Sequence, residues 1–194
     1  MSLLTVPDPS SSIVVREVLG DDVAAFQAAR RKIQRRRKRN LIRDFYVEGE
    51  QAFKNMGIAI PPSLELFATA IAWPAKSISV VVDRLAVDMF TLPDQTSPDG
   101  LMQDVFADNH MMSEQSQLHT ASLQHGPAFL SVCQGRPSEE EPEVLLRTYS
   151  AKEATGHWNP RLRRLDQALT IDETTEHGLA LEVNWWTRDR RVRI

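Results

Sequence analysis

The chain has 194 residues, 42% of them hydrophobic and 25% charged, and a formal net charge of −3. This balance fits a globular protein of one domain or two small ones and gives no overall attraction to nucleic acid. The single cysteine, Cys133, excludes an internal disulfide and favours a reducing compartment, and no apolar run approaches the ~20 residues that span a bilayer.

Residues 1–12 are rich in Ser and Pro and lack the basic start and apolar core of a signal peptide. A flexible N-terminal arm is expected over residues 1–20. With Asp21 or Asp22 as N-cap, a long helix is predicted to run to about Tyr46. Its apolar positions Val23, Phe26, Ile33, Leu41 and Phe45 are sparse, so one face is expected to be thinly buried.

Within that helix lies RRKIQRRRKRNLIR, with nine Lys or Arg and no acidic residue. The nine are Arg30, Arg31, Lys32, Arg35, Arg36, Arg37, Lys38, Arg39 and Arg43. At 3.6 residues per turn they wrap charge around most of the helix. Two readings stand open. One is a solvated face, or a face that meets an acidic patch on a neighbouring subunit; the other is a phosphate-binding segment. No aromatic interleaves the run, so it offers no stacking platform for single strands.

The middle of the chain predicts two apolar helices with a sharp joint. Leu64, Phe67 and Ile71 recur at helical spacing, as do Ile78, Val81, Val82, Leu85 and Met89. Pro62 and Pro74 suit first-turn positions, where the missing N–H costs nothing. A turn-rich link over residues 91–100 leads to a helix over about 98–109 with Leu101, Val105 and Phe106 inward. A further helix over about 114–125 is expected, with Ser113 as cap, Leu118 and Ala121 inward, and Gly126-Pro127 as its stop.

The period then becomes alternating. Strands are expected over 128–134, 144–150, 156–158, 165–171, 179–186 and 190–194, joined by an acidic hairpin loop (135–143), an Asn159-Pro160 turn and a 172–178 loop. The fold class is α+β: N-terminal helices (21–126) packed on a C-terminal antiparallel β-meander (127–194). The last strand reaches Ile194, which carries the expectation that the chain is part of a longer one.

No set of residues announces chemistry. There is no phosphate-binding glycine loop and no nucleophile elbow. The five histidines, His110, His119, His125, His157 and His177, form no i, i+4 pair and are expected at the surface or at helix ends. Asp104 and Asp108 share a helix face, which reads as solvated. Cys133 reads as an inert core thiol. Trp185 and Trp186 point to opposite faces of their strand, one of them into the core. No catalytic residue, metal site or cofactor is expected, and the chain reads as a non-enzyme.

The order of several segments resembles the N-terminal part of the portal proteins of tailed bacteriophages, closest to the actinobacteriophage type. YVEGEQAFKNMGIAIPP (46–62) is similar to the family's tyrosine-glycine turn and its L/M-G-I-A-I-P-P segment. WPAKSISVVVDRLAVDMF (73–90) resembles its W-P-x-x-x-V-x-x-x-x-x-R-L-x-x-x-x-F helix. HGPAFLSV (125–132) resembles its Y-G-x-A-F-V-x-V segment that opens the sheet. YSAKEATGHWNPRLRRLDQAL (149–169) resembles its S-P-x-x-A hairpin with a D-P-R-x-R-R turn. Together these cover about residues 20–194. His125 stands where an aromatic is usual, Asn159 replaces the common Asp, and the basic run is denser than the family's pattern.

The resemblance implies the wing of a portal subunit, without the family's stem, clip and crown. It implies a homo-oligomeric ring, typically a dodecamer, at one capsid vertex of the virion, assembled in the host cytoplasm. Implied partners are the major capsid protein, scaffolding protein, the terminase large subunit, a head-tail adaptor and double-stranded DNA, with no membrane. On that footing the basic run meets capsid or DNA. The alternative is a stand-alone nucleic-acid-binding module acting through residues 30–43.

Overall fold

A computed structural model of the chain describes residues 6, 12–50, 73–136, 138, 140–175 and 180–194. The predicted helix around Leu64, Phe67 and Ile71, with Pro62, lies outside the described residues, as does His177. The architecture is α+β, with the helices first in the chain and two antiparallel sheets after them.

The chain is helical earlier than the expected arm allows. Helix α1 spans Ile13–Leu19, and Ser12 caps it by accepting from the Val15 N–H. Leu19 and Val6 are fully buried in the core, so residues 12–20, within the arm predicted over residues 1–20, are ordered on the fold. Burying two aliphatic side chains is worth about 1.5–3 kcal/mol each, which outweighs the weak helix tendency of Ser- and Val-rich sequence.

A short 3-10 turn, Gly20–Asp22, leads into α2, Val23–Glu48. Its buried residues are Phe26, Ile33, Asn40 and Asp44, one narrow stripe at helical spacing. The upper half of that stripe is apolar and packs on the larger sheet. Phe26 meets Trp185 edge to face, with ring centroids 5.7 Å apart. The same core holds Leu169, Ile171 and Val183.

Helix α3, Trp73–Val82, ends where the sequence predicted it to continue towards Met89. Three consecutive valines at 80–82 lose side-chain freedom in a helix. The ladder tightens to Arg84 N–H on Val81 O and Leu85 N–H on Val82 O, and the chain then leaves the helix. The Val87 N–H donates instead to Oε1 of buried Gln115 at 2.8 Å. Val82 is buried, whereas Leu85 and Met89 are exposed.

Helix α4, Gly100–Asp108, is capped by Asp99, which accepts from the Met102 N–H. Leu101, expected inward, is 73% exposed; Val105 and Phe106 are half-buried, and Phe106 packs on Phe90. Helix α5, Met111–His125, starts ahead of the predicted Ser113 cap, because His110 adopts a left-handed φ of 52° and turns the chain there. The Ser113 hydroxyl donates to the His110 carbonyl. Gly126, with φ 104°, closes α5 as expected.

Strands β1 (Ala128–Gln134) and β2 (Val144–Ser150) form a hairpin. Strands β3 (Ala154–Asn159), β4 (Arg164–Thr174), β5 (Ala180–Thr187) and β6 (Arg191–Arg193) form a separate meander. The single meander predicted from sequence therefore breaks between β2 and β3. The cause is a tight turn in which Glu153 accepts from both the N–H and the hydroxyl of Ser150, while the Glu153 N–H donates back to the Ser150 carbonyl. This redirects the chain so that β3 pairs with β4.

Trp185 is core, at 1% exposure, and Trp186 faces the other way. There its indole N–H donates to Thr170 Oγ1 and the Arg191 guanidinium lies over its ring.

Candidate functional site

The structure divides the nine cations of residues 30–43 into two groups. Arg30, Lys32, Arg36, Arg37 and Arg43 are half-buried. Three of these fasten α2 to other parts of the chain. Arg30 Nε donates to the Val6 carbonyl at 3.0 Å, Lys32 Nζ to the Gly156 carbonyl at 2.7 Å, and Arg43 Nη1 to the His125 carbonyl at 2.7 Å. Burial, with the Arg36 charge behind it, pushes the Lys32 ammonium below its ordinary value. Burial does the same to Arg37.

Arg31, Arg35, Lys38 and Arg39 are exposed. At ~100° per residue they fall on one face, opposite the buried stripe. Ile42 and Tyr46, also on that face, are 46% and 53% exposed. The expectation that charge wraps most of the helix thus resolves into a tethering set and a free stripe.

The lower half of the buried α2 stripe is polar. Asp44 Oδ1 lies 2.6 Å from Nε2 of His125, and the same carboxylate accepts from Gln124 Nε2 at 2.7 Å and Lys152 Nζ at 3.1 Å. Asn40 Nδ2 reaches the Ala151 carbonyl. These contacts lock α2, the end of α5 and the β2–β3 turn together. His125 is at a helix end, as predicted, and is also 3% exposed. A second hub joins the two sheets. Asp172, nearly inaccessible, accepts from Arg147 Nη1, Tyr149 Oη and Thr170 Oγ1, with Arg191 at 3.6 Å. Burial alone would weaken the Arg147 charge, but Asp172, Tyr149 and Glu141 outweigh it and raise its pKa. Burial raises the Tyr149 phenol above its ordinary value.

Cys133 is half-buried and accepts from Arg191 Nη1 at 3.4 Å, so the inert core thiol of the sequence reading is a polar contact between the sheets. Asp104 and Asp108 are exposed, as expected.

Between the α4–α5 corner, the β1–β2 loop and strands β2 and β4 lies an open cleft of about 800 Å³. Its lining includes Asp108, Glu114, Glu140, Glu141, Glu153 and Asp172 against one arginine, Arg147. Sequence reading missed this concentration of charge. The acidic loop at 135–143 was its visible part; the rest is brought together by folding. Among the described residues no group of three or more His, Cys, Asp and Glu has the geometry to hold a metal ion, and no helix is long and apolar enough to cross a membrane.

No protein-family model matches the chain, and no curated protein matches it significantly.

Proposed function

We propose that the chain is a structural assembly subunit, the wing region of a tailed-phage portal ring at one capsid vertex. In that setting the ring forms the passage for double-stranded DNA and the docking site for the packaging motor and head-completion proteins. The observation that carries the reading is where the residues of the resemblance fall. Several of those that the structure describes occupy joints of the fold, while residues 51–62 of the resemblance lie outside the described residues. Trp73 and Pro74 open α3, and His125 with Gly126 ends α5 ahead of β1. Asn159 makes the β3–β4 turn, where its Oδ1 accepts from the Arg161 and Leu162 N–H groups. Agreement at such positions counts for more than agreement within apolar runs, because turn and cap residues are set by local backbone geometry.

The departures from the family pattern are accommodated by the same physics. Asn159 keeps the acceptor oxygen that an Asp would supply to an Asx turn. His125 keeps a flat ring in a buried slot and adds a bond to Asp44.

The test is the location and intact mass of the native protein. Antibody against this chain, applied to phage particles from its source, is expected to label the head–tail junction once per particle, on a polypeptide heavier than 22.0 kDa. Its absence from particles would overturn the reading. A second reading, a nucleic-acid-binding module, is favoured by the four exposed cations of α2. It requires a monomer that binds duplex DNA with an affinity falling steeply as salt rises.

A further inference from the structure

Two charged surfaces of this one chain are complementary to each other. The first is the α2 stripe of Arg31, Arg35, Lys38 and Arg39, all exposed. Among the described residues none of the four has an ion-pair partner. The second is the acidic cleft. Its Arg147 is already engaged by Asp172 and Glu141. Glu114 and Glu153 are bonded to the neutral hydroxyls of Thr148 and Ser150. Asp108 and Glu140 stand exposed at its walls. The cleft therefore carries uncompensated negative charge in a concave site, which focuses the field on an incoming cation.

We propose that the α2 stripe of one copy of this chain seats in the acidic cleft of a second copy. The contact deepens the assembly reading and rests on it. The two surfaces differ, so the contact is heterologous, and repetition closes a ring or extends a filament according to the rotation per step.

A second copy fits better than a phosphate backbone on two counts. The complementary carboxylates stand on this chain itself, and arginine forks match them bidentately, as they would phosphate. Stable contacts bury about 1,000 Å² or more, and the stripe continues into Ile42 and Tyr46, whose exposed apolar area lies on the same face.

The experiment is a charge swap on the full 194-residue chain, read by sedimentation velocity at low and high salt. One variant carries Arg31→Glu, Arg35→Glu, Lys38→Glu and Arg39→Glu. The other carries Asp108→Lys and Glu140→Lys. All six side chains are exposed, and circular dichroism checks that each variant is folded. The wild type is expected to self-associate and to dissociate as salt rises. Each variant alone is expected to lose about tenfold or more in association. Their mixture is expected to recover it, because the reversed stripe of one then faces the reversed cleft of the other.

A monomeric wild type overturns the proposal. So does a variant that associates like the wild type, or a mixture that stays apart. Unchanged association together with lost binding to a duplex DNA probe would assign the stripe to phosphate contact. If particles carry the chain at the head–tail junction while the swapped variants associate normally, the assembly reading survives and this contact does not.

Discussion

Asp44, in the last turns of α2, holds His125, the final residue of α5, through an Oδ1 to Nε2 contact of 2.6 Å with both side chains buried. The two are far apart in sequence, and the contact ties α2 to the end of α5. Asp44→Ala removes the shared acceptor of His125, Gln124 and Lys152. Leaving buried donors unmet costs about 1–3 kcal/mol, more where one is charged. His125→Phe, which restores an aromatic, is expected to cost less. Urea unfolding of the two single variants and the double variant should give a coupling energy above about 0.5 kcal/mol; additive losses would mean that the pair does not act as a unit.

Phe26→Ala is expected to destabilise the fold by about 3–5 kcal/mol. The ring is fully buried and packs at 5.7 Å, edge to face, on Trp185. Leu101→Ala, on an exposed side chain, is expected to shift stability by less than about 0.5 kcal/mol. Equal effects in thermal unfolding would contradict the placement of the core on α2 rather than α4.

Gly135 is constrained by space. A Cβ built there would lie 1.9 Å from the Pro142 carbonyl oxygen, so backbone must shift to admit it. Gly135→Ala is expected to open the β1–β2 hairpin end and lower stability by about 1–3 kcal/mol. Faster amide exchange at Gln134 and Val144, without change in β5, would locate the damage.

Asp166 supplies a pH test. The Asn159 amide donates to its Oδ2 at 2.7 Å, and this bond, with Arg164, holds the carboxyl below the ordinary 3.8 of an aspartate. The folded value is depressed, so the stabilisation is present above pH 3.8 and is lost as pH falls through the folded value. Asn159→Ala is expected to return the Asp166 midpoint towards 3.8 in a carboxyl-detected NMR titration. An unmoved midpoint would mean that the neighbouring charges of Arg164 and His157 set it.

The strands show how far local pattern carries. Residues 128–134 and 144–150 were readable to the residue, because alternation and the Gly135 and Pro142 punctuation are local signals. The helix at 73–82 was readable at its start and not at its end. Periodicity persists to Met89, but Gln115, distant in sequence, captures the Val87 backbone. Leu101 failed for the same reason: helical spacing places it on a face, and only the neighbouring elements decide whether that face is covered.

The sequence by itself determined the α+β order, the two faces of the Trp185–Trp186 strand and the cation-rich character of α2, since each follows from period, propensity and composition. The tertiary structure alone decided which cations became tethers. It also assembled the Asp44–His125 and Asp172–Arg147 hubs and gathered carboxylates from α4, α5, the hairpin loop, the β2–β3 turn and β4 into one cleft. Those outcomes depend on contacts between residues distant in the chain, where solvent exclusion and the need to satisfy buried polar groups select one partner among many. A one-dimensional pattern carries the charges but not the distances between them.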